Sequence, residues 1–286
     1  MAMERDYLQF DLQKPPLPFV GNKLRWWHAL RPMIEALPRG ARVFDAFTGC
    51  FAVSKLLQRW GRDLRITAND CGRYYRRRLA DVADTNRVIA EMLAAGAHNG
   101  LRHHYERYAP EIEQKLIQIC ATGRDQISCR INLYCGNGTT VRARCRLTPY
   151  DADACEHWCD GLTCADVRLD ALSAPDYADF DLVVLDPPYR RTPKSWGQGE
   201  YIGADACRDA REFCAAVMAH ARGSVWLWDE PDSDLVRIAQ AQGARVRPFP
   251  GVRNRQEAYE VLCEIRRIPD GLPPLFAWAR EKGLAI

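Results

Sequence analysis

This 286-residue chain has no run approaching the ~18 apolar residues that a membrane-spanning helix needs, so no membrane partner is expected. Its opening, MAMERDYLQFDLQKPP, contains acids and lacks an apolar core segment, which argues against a secretory signal. A cytoplasmic location with reduced thiols is the expectation. An excess of one charge is also missing: 40 Lys and Arg against 37 Asp and Glu leave a net +3. That is too little for a polycation that coats nucleic acid indiscriminately, so any such surface must come from local clustering. The 12 cysteines contain no pair of C-x-x-C units, and the chain is too large for a disulfide scaffold. Internal repeats and low-complexity linkers are absent as well.

What is present is an ordinary globular composition, 47% hydrophobic and 27% charged, long enough for a core domain plus an insert. Residues 1 to 15 read as an extended arm. Arg42 to Phe47 reads as a strand, Phe51 to Trp60 as a helix, and Leu64 to Ala68 as a second strand followed by a helix from about Tyr74. This βαβ unit implies a parallel sheet with a right-handed crossover. Strands return at Leu182 to Leu185, Ser224 to Trp228 and Tyr259 to Leu262, separated by helical stretches at Ala206 to Ala221 and Ser233 to Gln242. A turn and a short amphipathic element are expected over residues 269 to 286. Between the halves, residues 86 to 160 change character. Helical patterning at Asn86 to Ala95 and Glu111 to Cys120 gives way to a segment rich in Arg, Cys, Gly and Thr. The expected division is therefore one sheet domain, residues 1–85 and 161–286, interrupted by an inserted subdomain at 86–160.

The stretch richest in chemistry is Asp186-Pro187-Pro188-Tyr189, directly behind the apolar run Leu182 to Leu185. Consecutive prolines end the strand abruptly and leave an acid and an aromatic at the carboxyl edge of the sheet, where open α/β folds bind ligands. Such a loop suits methylation of an exocyclic amine. The N6 lone pair of adenine is delocalised into the ring, and a carboxylate and a backbone carbonyl accepting its N–H bonds return electron density to the nitrogen. Tyr189 would stack on the extruded base. Upstream, Asp45-Ala46-Phe47-Thr48-Gly49 is a strand end with a glycine turn before a helix, where a cofactor can approach backbone N–H groups. Asp70 ends the second strand 21 residues after Gly49. An acid there suits ribose hydroxyls or, alternatively, caps the following helix.

Together with Pro18-Phe19-Val20-Gly21-Asn22-Lys23, these segments give the chain a resemblance to the bacterial and phage DNA adenine methylases. In that family Pro-Phe-x-Gly-x-Lys precedes an acid-x-Phe-x-Gly strand end and, much later, Asp-Pro-Pro-Tyr. Cys164-Ala165-Asp166-Val167-Arg168 is similar to the family's Asp-Phe/Tyr-Arg segment, and Arg253 to Glu257 leading into Tyr259 to Leu262 is similar to its basic loop and final Glu-Val-Leu strand. The loop departs from many enzymes of this type, which carry two or three glycines where this chain has Gly49-Cys50-Phe51. The resemblance implies a doubly wound, Rossmann-like S-adenosylmethionine (SAM) methyltransferase fold, mostly parallel, with one antiparallel strand near the C-terminus and an inserted target-recognition subdomain. It implies that Phe19, Gly21, Asn22, Lys23, Asp45, Phe47, Gly49, Asp70, Asp166, Val167 and Asp186 surround SAM, with Asp166 and Val167 at its adenine. It also implies that Asp186, Pro187, Pro188 and Tyr189 are catalytic, with no metal required. Double-stranded DNA is the implied partner, and a restriction endonuclease is a further one left open. An RNA amino-methyltransferase (adenine N6 or guanine N2) and a non-catalytic nucleic-acid-binding regulator are the competing readings, the latter favoured by the Cys50-Phe51 loop.

Recognition is expected from the insert. Residues 121 to 146 hold five arginines against the single acid Asp125, and Val141 to Arg146 alternates so that a strand presents Arg142, Arg144 and Arg146 on one face. These, with Arg130, Arg253 and Arg255, are the candidates for phosphate or guanine contacts. A solvated edge strand is the plainer alternative. The run Arg73 to Arg78 is either a phosphate track or an exposed helix face. Seven cysteines lie between Cys120 and Cys164. Small buried apolar residues account for them, with zinc as the competing reading. His103 and His104 read as surface or packing residues, and Trp26, Trp27, Trp226 and Trp228 as packing.

Overall fold

The computed structural model describes residues 14–17, 19, 23–97, 110–124, 128, 147–188, 198–250 and 258–267. A helical turn, Lys23–Trp26, runs into α1 (Trp27–Glu35), followed by β1 (Arg42–Asp45), α2 (Ala52–Trp60) and β2 (Arg65–Asn69). Next come α3 (Tyr74–Ala80), α4 (Val82–Ala94), α5 (Pro110–Cys120), α6 (Ala152–Glu156) and β3 (Thr163–Ala165). The chain continues through β4 (Leu182–Leu185), α7 (Gln198–His220), β5 (Ser224–Asp229), α8 (Asp234–Ala241), β6 (Arg245–Pro250) and β7 (Ala258–Ile265).

The strands form one 7-stranded sheet in the order β3-β2-β1-β4-β5-β7-β6, parallel except that β7 pairs antiparallel with both β5 and β6. This is the doubly wound α/β arrangement expected from the sequence. The strand order reverses between β1 and β4, and the loops leaving those two strands diverge there, which opens a crevice at their carboxyl ends.

All four residues of β4 are buried because helices cover both faces of the sheet. Side chains alternate between the two layers, as a period of two requires. Val43, Leu182, Val184, Trp226, Trp228 and Leu262 face one cluster with α1, α2 and α4. Phe44, Val183, Leu185, Val225, Leu227 and Cys263 face the other with α7 and α8.

Two strands are not legible in the sequence. β3 has three residues, and β6 (RVRPFP) carries two prolines. Both sit at the edges of the sheet. An edge tolerates Pro because one side of the strand has no partner to receive its missing N–H bond.

The expected boundary at residue 86 falls inside α4. Val88, Ile89 and Met92 of that helix, with Tyr150 and Trp158, belong to the same apolar cluster as the sheet's first face. Asn86 ties α4 to the segment before α6: its Nδ2 donates to the Tyr150 carbonyl at 2.9 Å, and the Tyr150 N–H donates to its Oδ1 at 2.8 Å. Among the described residues no helix is long and apolar enough to cross a membrane.

Candidate active site

The acid Asp186 leaves β4 at the central switch point with its carboxylate partly open, about 20% exposed. The Lys23 ammonium sits 2.8 Å from Asp186 Oδ2 and 3.3 Å from Glu260 Oε2, almost wholly buried, and 5.4 Å from the centre of the Trp228 ring. Glu260 is buried too, and its Oε1 accepts from Arg25 at 2.7 Å and from the Trp26 indole N–H at 2.6 Å. Two carboxylates and two cations thus share one buried cluster, the condition under which buried charge is tolerated. Burial alone pulls the lysine downward, but Asp186 and Glu260 outweigh it and hold its pKa above the ordinary value. The ammonium therefore stays charged.

Asp45 ends β1 beside β4, where Asp45 pairs with Val184. Burial raises its pKa to about 7, opposed by the Ser54 hydroxyl that donates to Oδ2 at 2.6 Å and reinforced by the negative charge of Asp186. The folded state thus binds a proton that an unfolded Asp releases near pH ~4. Folding stability is then fully present below that pH and declines as pH rises toward about 7. Asp45→Asn should flatten this slope, as measured by urea denaturation across the window. An unchanged slope would mean that Asp45 is ionised in the fold.

Behind Asp45 the loop turns through Gly49, whose φ of +52° lies in the left-handed region. A Cβ there would meet the Phe19 ring at 2.7 Å, so the ring closes on the glycine itself. Two residues later Phe51 also takes the left-handed region, at φ 64°, as the residue preceding α2. The backbone geometry a second glycine would supply is present although the glycine is not. The strain, on the order of 1–3 kcal/mol, is offset by a fully buried ring that lies 6.3 Å from Tyr75. Trp158, 108 residues further along the chain, donates to the Cys50 carbonyl at 2.9 Å and so holds the same loop.

At the end of β2 the two neighbouring residues divide the work. Asn69 ties three strand ends together: its Nδ2 donates to the Ala46 and Val167 carbonyls at 3.2 and 2.9 Å, and its Oδ1 accepts from the Val167 N–H at 2.8 Å. The Asp70 carboxylate caps the first turn of α3. Its carboxylate accepts from the Tyr75 and Arg76 N–H groups, each at 3.0 Å, and from Arg76 Nε at 3.2 Å, and the residue is 4% exposed. The half-exposed carboxylate at this edge is Asp166, which accepts from the Gly72 N–H at 2.7 Å and from Arg73 Nε at 3.0 Å, with Val167 exposed beside it. Phe47 lies partly buried against Phe213, 6.2 Å away.

The Arg73 to Arg78 run is not a row of outward guanidiniums. Arg76 is taken up by Asp70 and the Ala165 carbonyl, Arg73 by Asp166, and Arg78 is buried against the rings of Tyr74 and Tyr75. His157 pairs with Asp160 at 2.9 Å on the surface, and among the described residues no group of three His, Cys, Asp or Glu side chains is placed to hold a metal.

Phe19, Lys23, Asp45, Phe47, Gly49, Asp166, Val167, Asp186, Pro187 and Pro188 therefore lie at one edge of the sheet or in the segments packed over it, with Asp70 turned inward. Gly21, Asn22, Tyr189, Arg130, Arg142, Arg144, Arg146, Arg253, Arg255, His103 and His104 lie outside the described residues. Sequence reasoning missed the roles of Glu260, Arg25 and Trp26. The one available signal was an acid near the start of a strand whose following residues, Val261 to Cys263, are buried and apolar.

The carboxyl edge suits SAM. Asp166 and Asp186 place partly exposed carboxylates at the ends of β3 and β4, and the glycine turn after β1 is covered by the Phe19 ring. No protein-family model matches the chain, and no curated protein matches it. Among solved structures it is similar to TrmN from Thermus thermophilus (14% identity, 92% of this chain and 53% of that one, TM-score 0.37). It is similar also to a precorrin-6y C5,15-methyltransferase from Geobacter metallireducens (10% identity, 87% and 92%, TM-score 0.35). A third is P. horikoshii TYW2 in complex with MeSAdo (11% identity, 89% and 64%, TM-score 0.33). The fold itself rests on strand order and register, which give a doubly wound, Rossmann-like α/β sheet with one antiparallel strand.

Proposed function

We propose that this chain is a SAM-dependent amino-methyltransferase that methylates the exocyclic N6 of adenine in double-stranded DNA. The observation that carries the reading is Asp186-Pro187-Pro188 leaving the central strand at the switch point, with its carboxylate paired to the buried Lys23. When bound, the cofactor supplies an electrophilic methyl group on a sulfonium, which would give up that methyl to the amine nitrogen and keep the carbon–sulfur electron pair. Asp186 accepts an N–H bond of the amine and orients the nitrogen lone pair toward that methyl group. Asp186 then takes the proton that the amine gives up and returns it to solvent. The Pro187 carbonyl accepts the second N–H bond, and Tyr189 stacks on the base. Positioning supplies much of the rate in such a transfer. Extruding the base costs a few kcal/mol, which contacts from Arg130, Arg142, Arg144, Arg146, Arg253 and Arg255 would offset.

The test is methyl transfer from labelled SAM to unmodified duplex DNA and to RNA, followed by nucleoside mass spectrometry. N6-methyladenine in DNA supports the reading. Label in RNA would replace it with an RNA amino-methyltransferase, and SAM binding without transfer would sink the enzymatic reading on these substrates. Arg144→Ala should weaken duplex binding across sequences and reduce the slope of log affinity against log salt by about 1, with SAM affinity unchanged. Equal affinity for wild type and variant across a salt series would remove the insert arginines from the interface.

A further inference from the structure

Glu260 stands at the start of β7, and the antiparallel course of that strand brings its first residues, rather than its last, to the carboxyl edge of the sheet. There it pairs in register with Phe249 of β6, next to Val261, which pairs with Asp229 at the end of β5. A carboxylate this deeply buried would be costly without donors, and Arg25, Trp26 and Lys23 provide them. What separates it from an ordinary buried acid is that Lys23 is shared. The same ammonium lies 3.3 Å from Glu260 and 2.8 Å from Asp186.

We propose that Glu260 is a positioning residue for methyl transfer, acting through Lys23 to hold the Asp186 carboxylate where the amine docks. This rests on the methyltransferase reading above. A lysine stem has four flexible carbons, and an ammonium has no preferred direction for a single carboxylate partner. A second carboxylate, on a strand that enters from the opposite direction, and the Trp228 ring narrow the positions Lys23 can take. The Asp186 oxygen it grips is narrowed with it. A displacement of 1 Å at a reacting centre costs ~100-fold in rate, so a residue that never touches substrate can still govern the chemical step. Among the described residues, the charged and titratable groups facing the cluster are Asp45 from β1, Cys50 from the loop after it, Asp186 just past β4, Cys214 from α7, Glu260 from β7, and Lys23 and Arg25 from the turn before α1.

Glu260→Gln keeps the shape and removes the charge. Single-turnover transfer should slow by about 10- to 100-fold, with KM for SAM and DNA within about threefold. In the protein without substrates, the Lys23 ammonium followed by 15N NMR should release its proton about one pH unit or more lower. Trp26→Phe keeps a ring against Phe249 but removes the 2.6 Å bond to Glu260, and should slow single-turnover transfer in the same way by less. In a Lys23→Met background, adding Glu260→Gln should change the rate by less than about twofold, because the path through Lys23 is already cut. Losses that add in that background, or a Glu260→Gln rate within about twofold of wild type, overturn the proposal. Should Glu260→Gln not fold, Trp26→Phe carries the same test. A wild-type protein that binds SAM and methylates neither DNA nor RNA overturns the methyltransferase reading, and the Lys23 titration then decides the coupling to Glu260 independently.

Discussion

Asp186→Asn should lower the rate of methyl transfer by ~10³-fold or more while changing SAM affinity less than ~10-fold, given the 10²–10⁴-fold typical of a positioned acid–base group. The amide keeps an acceptor oxygen but has no negative charge for the proton that the amine must shed. It also brings an NH2 group that faces the amine's own N–H bonds. The substitution breaks the 2.8 Å pair with Lys23 as well, leaving the ammonium with Glu260 and weakening its hold on the β4 loop. Single-turnover transfer and calorimetric SAM binding separate the two effects. A variant that keeps a tenth of the wild-type rate would mean that another group accepts the proton, and the chemistry assigned to Asp186 would fall.

Arg211→Met should cost about 3–5 kcal/mol of folding stability, the range for breaking a buried ion pair from one side. Arg211 of α7 donates to Asp229 Oδ2 at 3.0 Å and pairs also with Asp234. Asp229 is fully buried at the end of β5, so removing the guanidinium leaves a carboxylate without its cation in the layer beneath α7. Arg211 itself is incompletely satisfied, since its Nε and Nη1 are buried with no hydrogen-bond partner. Removing the whole pair should therefore be far cheaper than removing half of it. Arg211→Met with Asp229→Asn should recover most of the loss, as urea denaturation would show. A single-variant loss under about 1 kcal/mol would indicate that water and the Glu230 N–H, which already donates to Asp229 Oδ1, satisfy the carboxylate without the guanidinium.

The readings that succeeded were local. Four apolar residues ended by two prolines specify β4 wherever they stand in the chain, because burial on both faces and the missing N–H groups act within a few residues. The alternation of Val43 with Phe44 and of Trp226 with Leu227 assigns those side chains to opposite layers for the same reason. β6 escaped notice because its prolines contradict a strand unless the strand lies at an edge, and edges are a property of the assembled sheet.

The candidate site divides along the same line. The sequence by itself determined β1, β2, β4, β5 and β7, the acid at the end of β4 and the glycine turn after β1, since hydrophobic period and turn chemistry are written over short windows. It offered Asp70 both as a ribose partner and as a helix cap, and the capping bonds themselves come from the path of α3, which returns two N–H groups to its carboxylate. Nor did it reveal that Phe51 would adopt the conformation of the missing glycine, because the compensation is burial against Tyr75 in another helix. The meeting of Arg25 and Trp26 with Glu260, 235 and 234 residues away, was decided by tertiary structure alone. An antiparallel last strand turns its beginning toward the active edge, and no periodicity in the chain encodes which distant donors will be waiting there.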